Sequence, residues 1–350
     1  ECNNLVRDVR YNSKAVPSLR FYILEGVIRV SNYTENRCAL DNAFEYNAKQ
    51  KIFIDTTAIK SLPANFCTGV QRVVKQILIS MLTLLPSIEL ICFDVNGGRP
   101  PTTNNRFRET ICGISELSMG PEKEVVFKTG DILFLLDDSV YYLYNLSHIL
   151  KTFKDSGLTV VSLIHDVIPV THPQYVMDNH RQTFVDWLSY VEESSSGVVC
   201  VSDATKTELF KIKPSMNTQS FHLGNNITVS GEKHLIGLPK GKNILMVGTI
   251  EPRKCYSETL TAVEKVWETR RDINLIITGK WGWLSENFIN RIQTHPLLDK
   301  NLFWLSDASD FDLIYLYKNC DLFLFSSDAE GFGIPLVEAA SYNMPCLLYT

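Results

Sequence analysis

The chain has 350 residues, 45% of them apolar, with a formal net charge of −5 and a mean hydropathy of −0.02. That length exceeds one compact core and suits two domains. The charge excludes a nucleic-acid groove as the main business, and no uncharged apolar run is long enough to span a bilayer.

No signal-peptide pattern opens the chain, and a start at Glu1 rather than Met leads us to expect a fragment or a processed piece. Nine cysteines are scattered along it, an odd number with no C-x-x-C pair. Zinc and disulfide frameworks are therefore not expected, and a reducing, cytoplasmic compartment is.

Residues 1–50 mix apolar runs such as "FYILEGVIRV" with polar ones such as "SNYTENR", and read as an N-terminal extension or linker. From Lys51 the pattern changes. "KIFIDTT" is a buried strand, and "TGVQRVVKQILISMLTLL" has the apolar spacing of a helix. "IELICFD" is a strand, "VNGGRPPTTNNR" a loop, and "DILFLLD", "LTVVSLIHD" and "GVVCVSD" are further strands. Residues 51–229 form the expected first domain. Periodicity fades through a linker at 230–241, within "VSGEKHLIGLPKGKN".

A second alternating series fills 242–350. "NILMVGT", "NLIITG", "NLFWL", "DLFLFSS" and "PCLLYT" read as strands, with helices between them, the last at "LVEAASYN". Short apolar strands alternating with helices specify parallel sheets covered on both faces. The fold class is α/β, with two Rossmann-like doubly wound domains. In such sheets ligands bind beyond the carboxyl ends of the strands.

Those ends hold the informative residues. After "NILMVG", the turn "TIEPRKCYSE" sets Arg253 and Lys254 beside a helix start, a pattern for a phosphate or diphosphate. Two solvated surface cations are the plainer reading of that pair alone. After "DLFLFSS", "AEGFGIPLVE" places Glu330 in a loop and Glu338 in the helix that Pro335 opens. Gly331 and Gly333 leave room for a ligand against the backbone. Two carboxylates at different depths suit the paired hydroxyls of a sugar or a ribose, whereas a helix-dipole charge and a loop charge are the bland alternative. In the first domain, Gly69 and Arg72 open a helix, and His165 and Asp166 end a strand. The acidic run "SDASDFD" precedes an apolar helix and reads as a cap rather than a metal site.

Together, "VGTIEPRK", "TGKWGWL", "SDAEGFGIPLVEA", "TGVQRVV" and "HDVIPVTHP" resemble the family 4 retaining glycosyltransferases, over roughly residues 51–350. The branch resembled contains bacterial mannosyltransferases of surface polysaccharides. The resemblance implies a GT-B architecture of two Rossmann-like domains facing a cleft. It implies that Glu330 holds donor-sugar hydroxyls, Glu338 the ribose, and the backbone near Phe332 and Gly333 the sugar. Arg253 and Lys254 would neutralise the diphosphate without a metal, with Gly248 in the same donor loop. His165 would lie near the reacting sugar, and Gly69, Arg72 and Asp166 on the acceptor side.

The implied reaction moves a hexose, with GDP-mannose as the expected donor, to a glycan or lipid-linked glycan acceptor. Neither a cofactor nor a nucleic-acid partner is expected. Peripheral membrane association or a biosynthetic complex fits such an acceptor. A non-catalytic nucleotide- or glycan-binding relative is the main rival; a dinucleotide oxidoreductase lacks G-x-G-x-x-G at both first turns. Because "PCLLYT" ends the chain, the second domain is expected to be truncated at its carboxyl end.

Overall fold

Strands whose side chains alternate between two covered faces must be apolar throughout, and this decides the architecture. In the computed structural model, Leu245 and Ile276 pack on one face of a sheet, while Met246, Leu275 and Ile277 pack on the other. The structure describes residues 20–24, 27–31, 50–59, 69–95, 99–105, 107–108, 121–136, 140, 143–224, 237–283 and 285–348. Most of the expected extension, much of the linker, and Thr68 of the first helix start lie outside the described residues.

The chain divides into two compact units. One holds residues 20–171 and 178–223; the other holds His172–Met177 and Gly224–Thr350.

The first unit begins with an antiparallel strand pair, β1 (Arg20–Leu24) and β2 (Val27–Ser31). Its main sheet is built from β3 (Ile52–Asp55), β4 (Glu89–Cys92), β5 (Thr102–Thr103), β6 (Ile132–Leu135), β7 (Thr159–Ile164), β8 (Gly197–Cys200) and β9 (Thr218–Ser220). Their order is β5-β4-β3-β6-β7-β8-β9, parallel except at β5. The segment "VNGGRPPTTNNR" was expected to be loop, and it contributes this two-residue edge strand. The helices are α1 (Gly69–Leu84), α2 (Leu143–Asp155), α3 (Ile168–Thr171), α4 (Asp178–Ser194) and α5 (Asp203–Ile212). Helix α1 buries Val73, Val74, Ile77, Leu78, Met81 and Leu82, a stripe at three- and four-residue spacing. Trp187, Leu188 and Val191 of α4 join Leu146 and Leu150 of α2 in the core.

The second unit contains β10 (Lys242–Val247), α6 (Tyr256–Trp267), β11 (Ile273–Thr278), α7 (Glu286–Gln293), β12 (Leu302–Leu305), α8 (Asp310–Asn319), β13 (Leu322–Phe325), α9 (Ile334–Ser341) and β14 (Cys346–Leu348). The sheet is wholly parallel, in the order β12-β11-β10-β13-β14. Helices α6 and α7 cover one face through Leu260, Val263, Trp267, Phe288, Ile289 and Ile292. Leu316 and Tyr317 of α8 and Ala339 of α9 cover the other. The acidic run before α8 is a capping box: the Ser309 side chain accepts from the Asp312 amide, and the Asp312 carboxylate accepts from the Ser309 amide.

Successive strands run outward from β10 to β12, then the chain returns to place β13 on the other side of β10. The reversal opens a crevice at the carboxyl ends of β10 and β13. Close backbone contact beyond the strand ends fixes the loops there. Gly279 follows β11 at φ 149°, and a Cβ built on it would lie 2.0 Å from the Gly248 carbonyl oxygen. Its own carbonyl accepts from the Trp304 indole at 3.0 Å. Only a residue without a side chain fits, so Gly279→Ala should cost on the order of 1–3 kcal/mol. Urea unfolding should show the loss; unchanged stability would mean that the two loops part freely.

Candidate active site

The loop from β10 to α6 is shaped by its sequence. Pro252 starts a 3-10 turn, Pro252–Lys254, and Cys255 at φ 52° redirects the chain into α6. This turns Arg253 and Lys254 toward the loop that follows β13. The Arg253 Nη1 donates to the Ala329 carbonyl and to Glu330 Oε2, both at 3.0 Å. Its Nε donates to Glu251 Oε2 at 2.9 Å. Lys254 Nζ pairs with Glu330 Oε1 and lies 5.6 Å from the centre of the Phe325 ring.

Backbone bonds tie the same two loops together. The Asp328 amide donates to the Arg253 carbonyl at 2.8 Å. The Ser326 hydroxyl donates to the Lys254 carbonyl, also at 2.8 Å. Two cations and two carboxylates therefore meet at the switch point, largely out of water: Lys254 is 8% and Glu251 6% exposed.

Burial and the opposite charges compete to set the direction of each titration. Burial works to raise the Glu330 carboxyl, but the Lys254 and Arg253 charges and hydrogen bonds from Lys254 and Ser327 overcome it, so Glu330 is held below the usual range. Burial pushes the Glu251 carboxyl up, against the pull of Arg253 and Lys254. It also pushes the Lys254 ammonium down, opposed first by Glu330. For this coupled pair we take both groups as ionised, because their contact satisfies each charge.

Neighbouring groups hold the frame. The Tyr256 hydroxyl donates to the Gly248 carbonyl at 2.8 Å, and burial raises its pKa. Gly333 is buried at φ 84° and caps α9, with Pro335 in the first turn. Phe332 lies beside it in the same loop, partly exposed. Glu338 is 2% exposed and accepts from the Tyr317 hydroxyl at 2.8 Å. It is thus part of the packing between α8 and α9.

The first unit holds the remaining sequence-predicted residues. Gly69 opens α1, with no described residue beyond its own turn within 4 Å of where its Cβ would stand, and Arg72 lies in the first turn. His165 follows β7, is 5% exposed, and its Nε2 lies 2.9 Å from the Leu136 carbonyl beyond β6. The Asp166 carboxylate accepts from the Ile168 amide at 3.0 Å and caps α3. All four stand at the carboxyl edge of that unit's sheet. Glu251 was missed in the sequence: a carboxylate two residues before a guanidinium, in a proline turn, was the available signal. Among the described residues, no group of His, Cys, Asp or Glu is arranged to hold a metal ion. No helix there is long and apolar enough to cross a membrane.

Two Rossmann-like units are the architecture of the GT-B fold. The chain superposes on sucrose-phosphate synthase from Thermosynechococcus elongatus with a TM-score of 0.59 at 13% identity, covering 86% of this chain and 81% of that one. It superposes on Anabaena HepE, solved in complex with UDP-glucose, with a TM-score of 0.55 at 13% identity, covering 85% and 80%. Residues 233–350 match the family model described as glycosyl transferases group 1. The chain is 28% identical over 327 residues to the serotype-specific mannosyltransferase WbdA of Escherichia coli, covering 88% of this chain and 38% of that protein. It is also 28% identical over 196 residues to the O-antigen chain mannosyltransferase B of E. coli, covering 53% and 51%. The chain thus spans well under half the length of WbdA.

The cluster makes an acid-dependent contribution to stability. Glu330 has a folded-state pKa below its ordinary 4.5, so its contribution is full above the unfolded value and is lost as pH falls through the folded one. The stability gap between wild type and Glu330→Gln should therefore shrink as pH drops from about 5 to 3. Urea titrations across that range check it, and a gap independent of pH would show that Glu330 is not held by charge.

Proposed function

We propose that this chain carries the catalytic units of a retaining hexosyltransferase. It would move mannose from GDP-mannose to a glycan or lipid-linked glycan acceptor at the cytoplasmic face of a membrane. The observation that carries this reading is the convergence of Arg253, Lys254 and Glu330 at the switch point of a group 1 glycosyltransferase domain. The mannosyl assignment is supported by the likeness to the two E. coli mannosyltransferases.

The chemistry asks for such a group. Cleaving a sugar–phosphate bond leaves positive charge on the sugar and negative charge on the departing diphosphate. Arg253 and Lys254, already fixed by Glu251, Ala329 and Glu330, would stabilise the leaving group without reorganising. Glu330 would hold the sugar hydroxyls next to them, and Glu338 the ribose. His165 would stand near the reacting sugar, and Gly69, Arg72 and Asp166 toward the acceptor. No carboxylate is assigned as a covalent nucleophile.

A thermal-shift panel of nucleotide sugars, followed by donor-consumption assays with the same compounds, tests this reading. Binding to the folded state raises the midpoint with ligand concentration. GDP-mannose should give the largest rise and should be consumed, with an α-linked product seen by NMR. No rise and no consumption with any donor would sink the enzyme assignment, and binding without consumption would favour a non-catalytic relative. Arg253→Ala and Lys254→Met should each slow consumption about tenfold or more, equivalent to about 1.4 kcal/mol. Near-normal rates in both folded variants would remove diphosphate stabilisation from this cluster.

A further inference from the structure

The loop that carries Glu330 has an anchor outside the charged cluster. Tyr175 lies far back in the chain, in a short 3-10 turn, Pro173–Tyr175. The segment His172–Met177 nevertheless clusters with the second unit. The Tyr175 hydroxyl donates to Asp328 Oδ2 at 2.5 Å. The Tyr175 carbonyl accepts from the Trp283 indole N–H at 2.8 Å. One residue thus bonds the loop after β11 through its backbone and the loop after β13 through its side chain.

Asp328 is gripped from both ends. Its amide donates to the Arg253 carbonyl, and its carboxylate accepts from Tyr175. Two residues further on, Glu330 meets Arg253 and Lys254. A loop without regular secondary structure has little to hold it except such bonds. The Pro173 ring stiffens the turn that presents Tyr175, and the His172 ring stacks on the Tyr175 ring at 6.2 Å and 14°. The bond to Asp328, then burial, push the hydroxyl's pKa up to about 12, so it stays a donor well above neutral pH.

We propose that Tyr175 is a positioning residue: by holding Asp328 it fixes the loop that presents Glu330, and so sets how strongly the site prefers a sugar-bearing nucleotide over the free nucleoside diphosphate. The second half of this statement rests on the function proposed above. The first half does not. Tyr175 bonds to Asp328 and Trp283 rather than to the cations, so the diphosphate contacts of Arg253 and Lys254 should survive its loss.

Two measurements on the full chain separate these halves. The first is hydrogen exchange without nucleotide, over residues 326–331. Tyr175→Phe removes only the hydroxyl and should speed exchange there about tenfold, leaving the β11 strand at 273–278 unchanged. Unchanged protection at 326–331 would overturn the positioning role.

The second is the affinity for GDP and for GDP-mannose. Tyr175→Phe and Asp328→Ala should each reduce the preference for GDP-mannose about fivefold, as expected for one hydrogen bond, with GDP affinity within about twofold of wild type. Asp328→Asn keeps an oxygen for the tyrosine to reach and should restore most of the preference. The double variant Tyr175→Phe/Asp328→Ala should be no worse than either single one. A wild-type preference in Tyr175→Phe, even with a lowered melting midpoint, would reduce Tyr175 to a fold staple and overturn the selectivity claim. If wild type binds neither compound, the donor assignment fails, while hydrogen exchange still decides whether Tyr175 holds the loop.

Discussion

The second unit is organised around a buried exchange of charge: Glu251 and Glu330 against Arg253 and Lys254. Removing four ionisable groups from water is costly, and the cost is offset only where each charge meets its opposite with good geometry. That requirement fixes the loops after β10 and β13 relative to one another. The Ser326 and Asp328 bonds to the Lys254 and Arg253 carbonyls follow from the same closeness. Loss of Arg253 would strip Glu251 of its ion-pair partner, and loss of Glu330 would do the same to Lys254.

The sheet puts the cluster where it is. Strand order reverses between β10 and β13, so their loops leave the sheet side by side with no strand between them. Glycines let the backbones meet: Gly279 stands where a side chain would strike the Gly248 carbonyl, and Gly248 itself holds φ 142°. Tyr256 and Trp304 then donate to the carbonyls of those two glycines. Aromatic residues from the helix and the neighbouring strand thus complete a frame that the glycines opened.

Much of this was legible in the sequence because it is local. Apolar runs marked the strands, three- and four-residue spacing marked α1, and a serine followed by an aspartate marked the cap of α8. Arg253 and Lys254 stood out as adjacent cations after a strand, and Glu330 as a carboxylate in a glycine loop. Their meeting was not legible, because 76 residues separate Lys254 from Glu330. Glu251 drew no notice in the sequence, because its burial depends on how the loop folds. Tyr175 lies 153 residues from Asp328, and no pattern of period two or 3.6 reports such a contact. The edge strand β5 was hidden by its length, since two residues show no alternation. Glu338 drew notice as one of a spaced pair, but its bond to Tyr317 depends on how α8 and α9 pack.

The Lys254–Glu330 contact also bears on how an anion would approach. Two cations paired with two carboxylates within bonding distance have no net charge, and the field of such a group fades with distance far faster than that of a lone cation. The surrounding molecule carries −5 overall. A negatively charged partner therefore feels little attraction across several Debye lengths of solvent, and nothing in the cluster steers it inward. On the function proposed above, capture would be left to contacts made on arrival, and discrimination would rest on fit at short range.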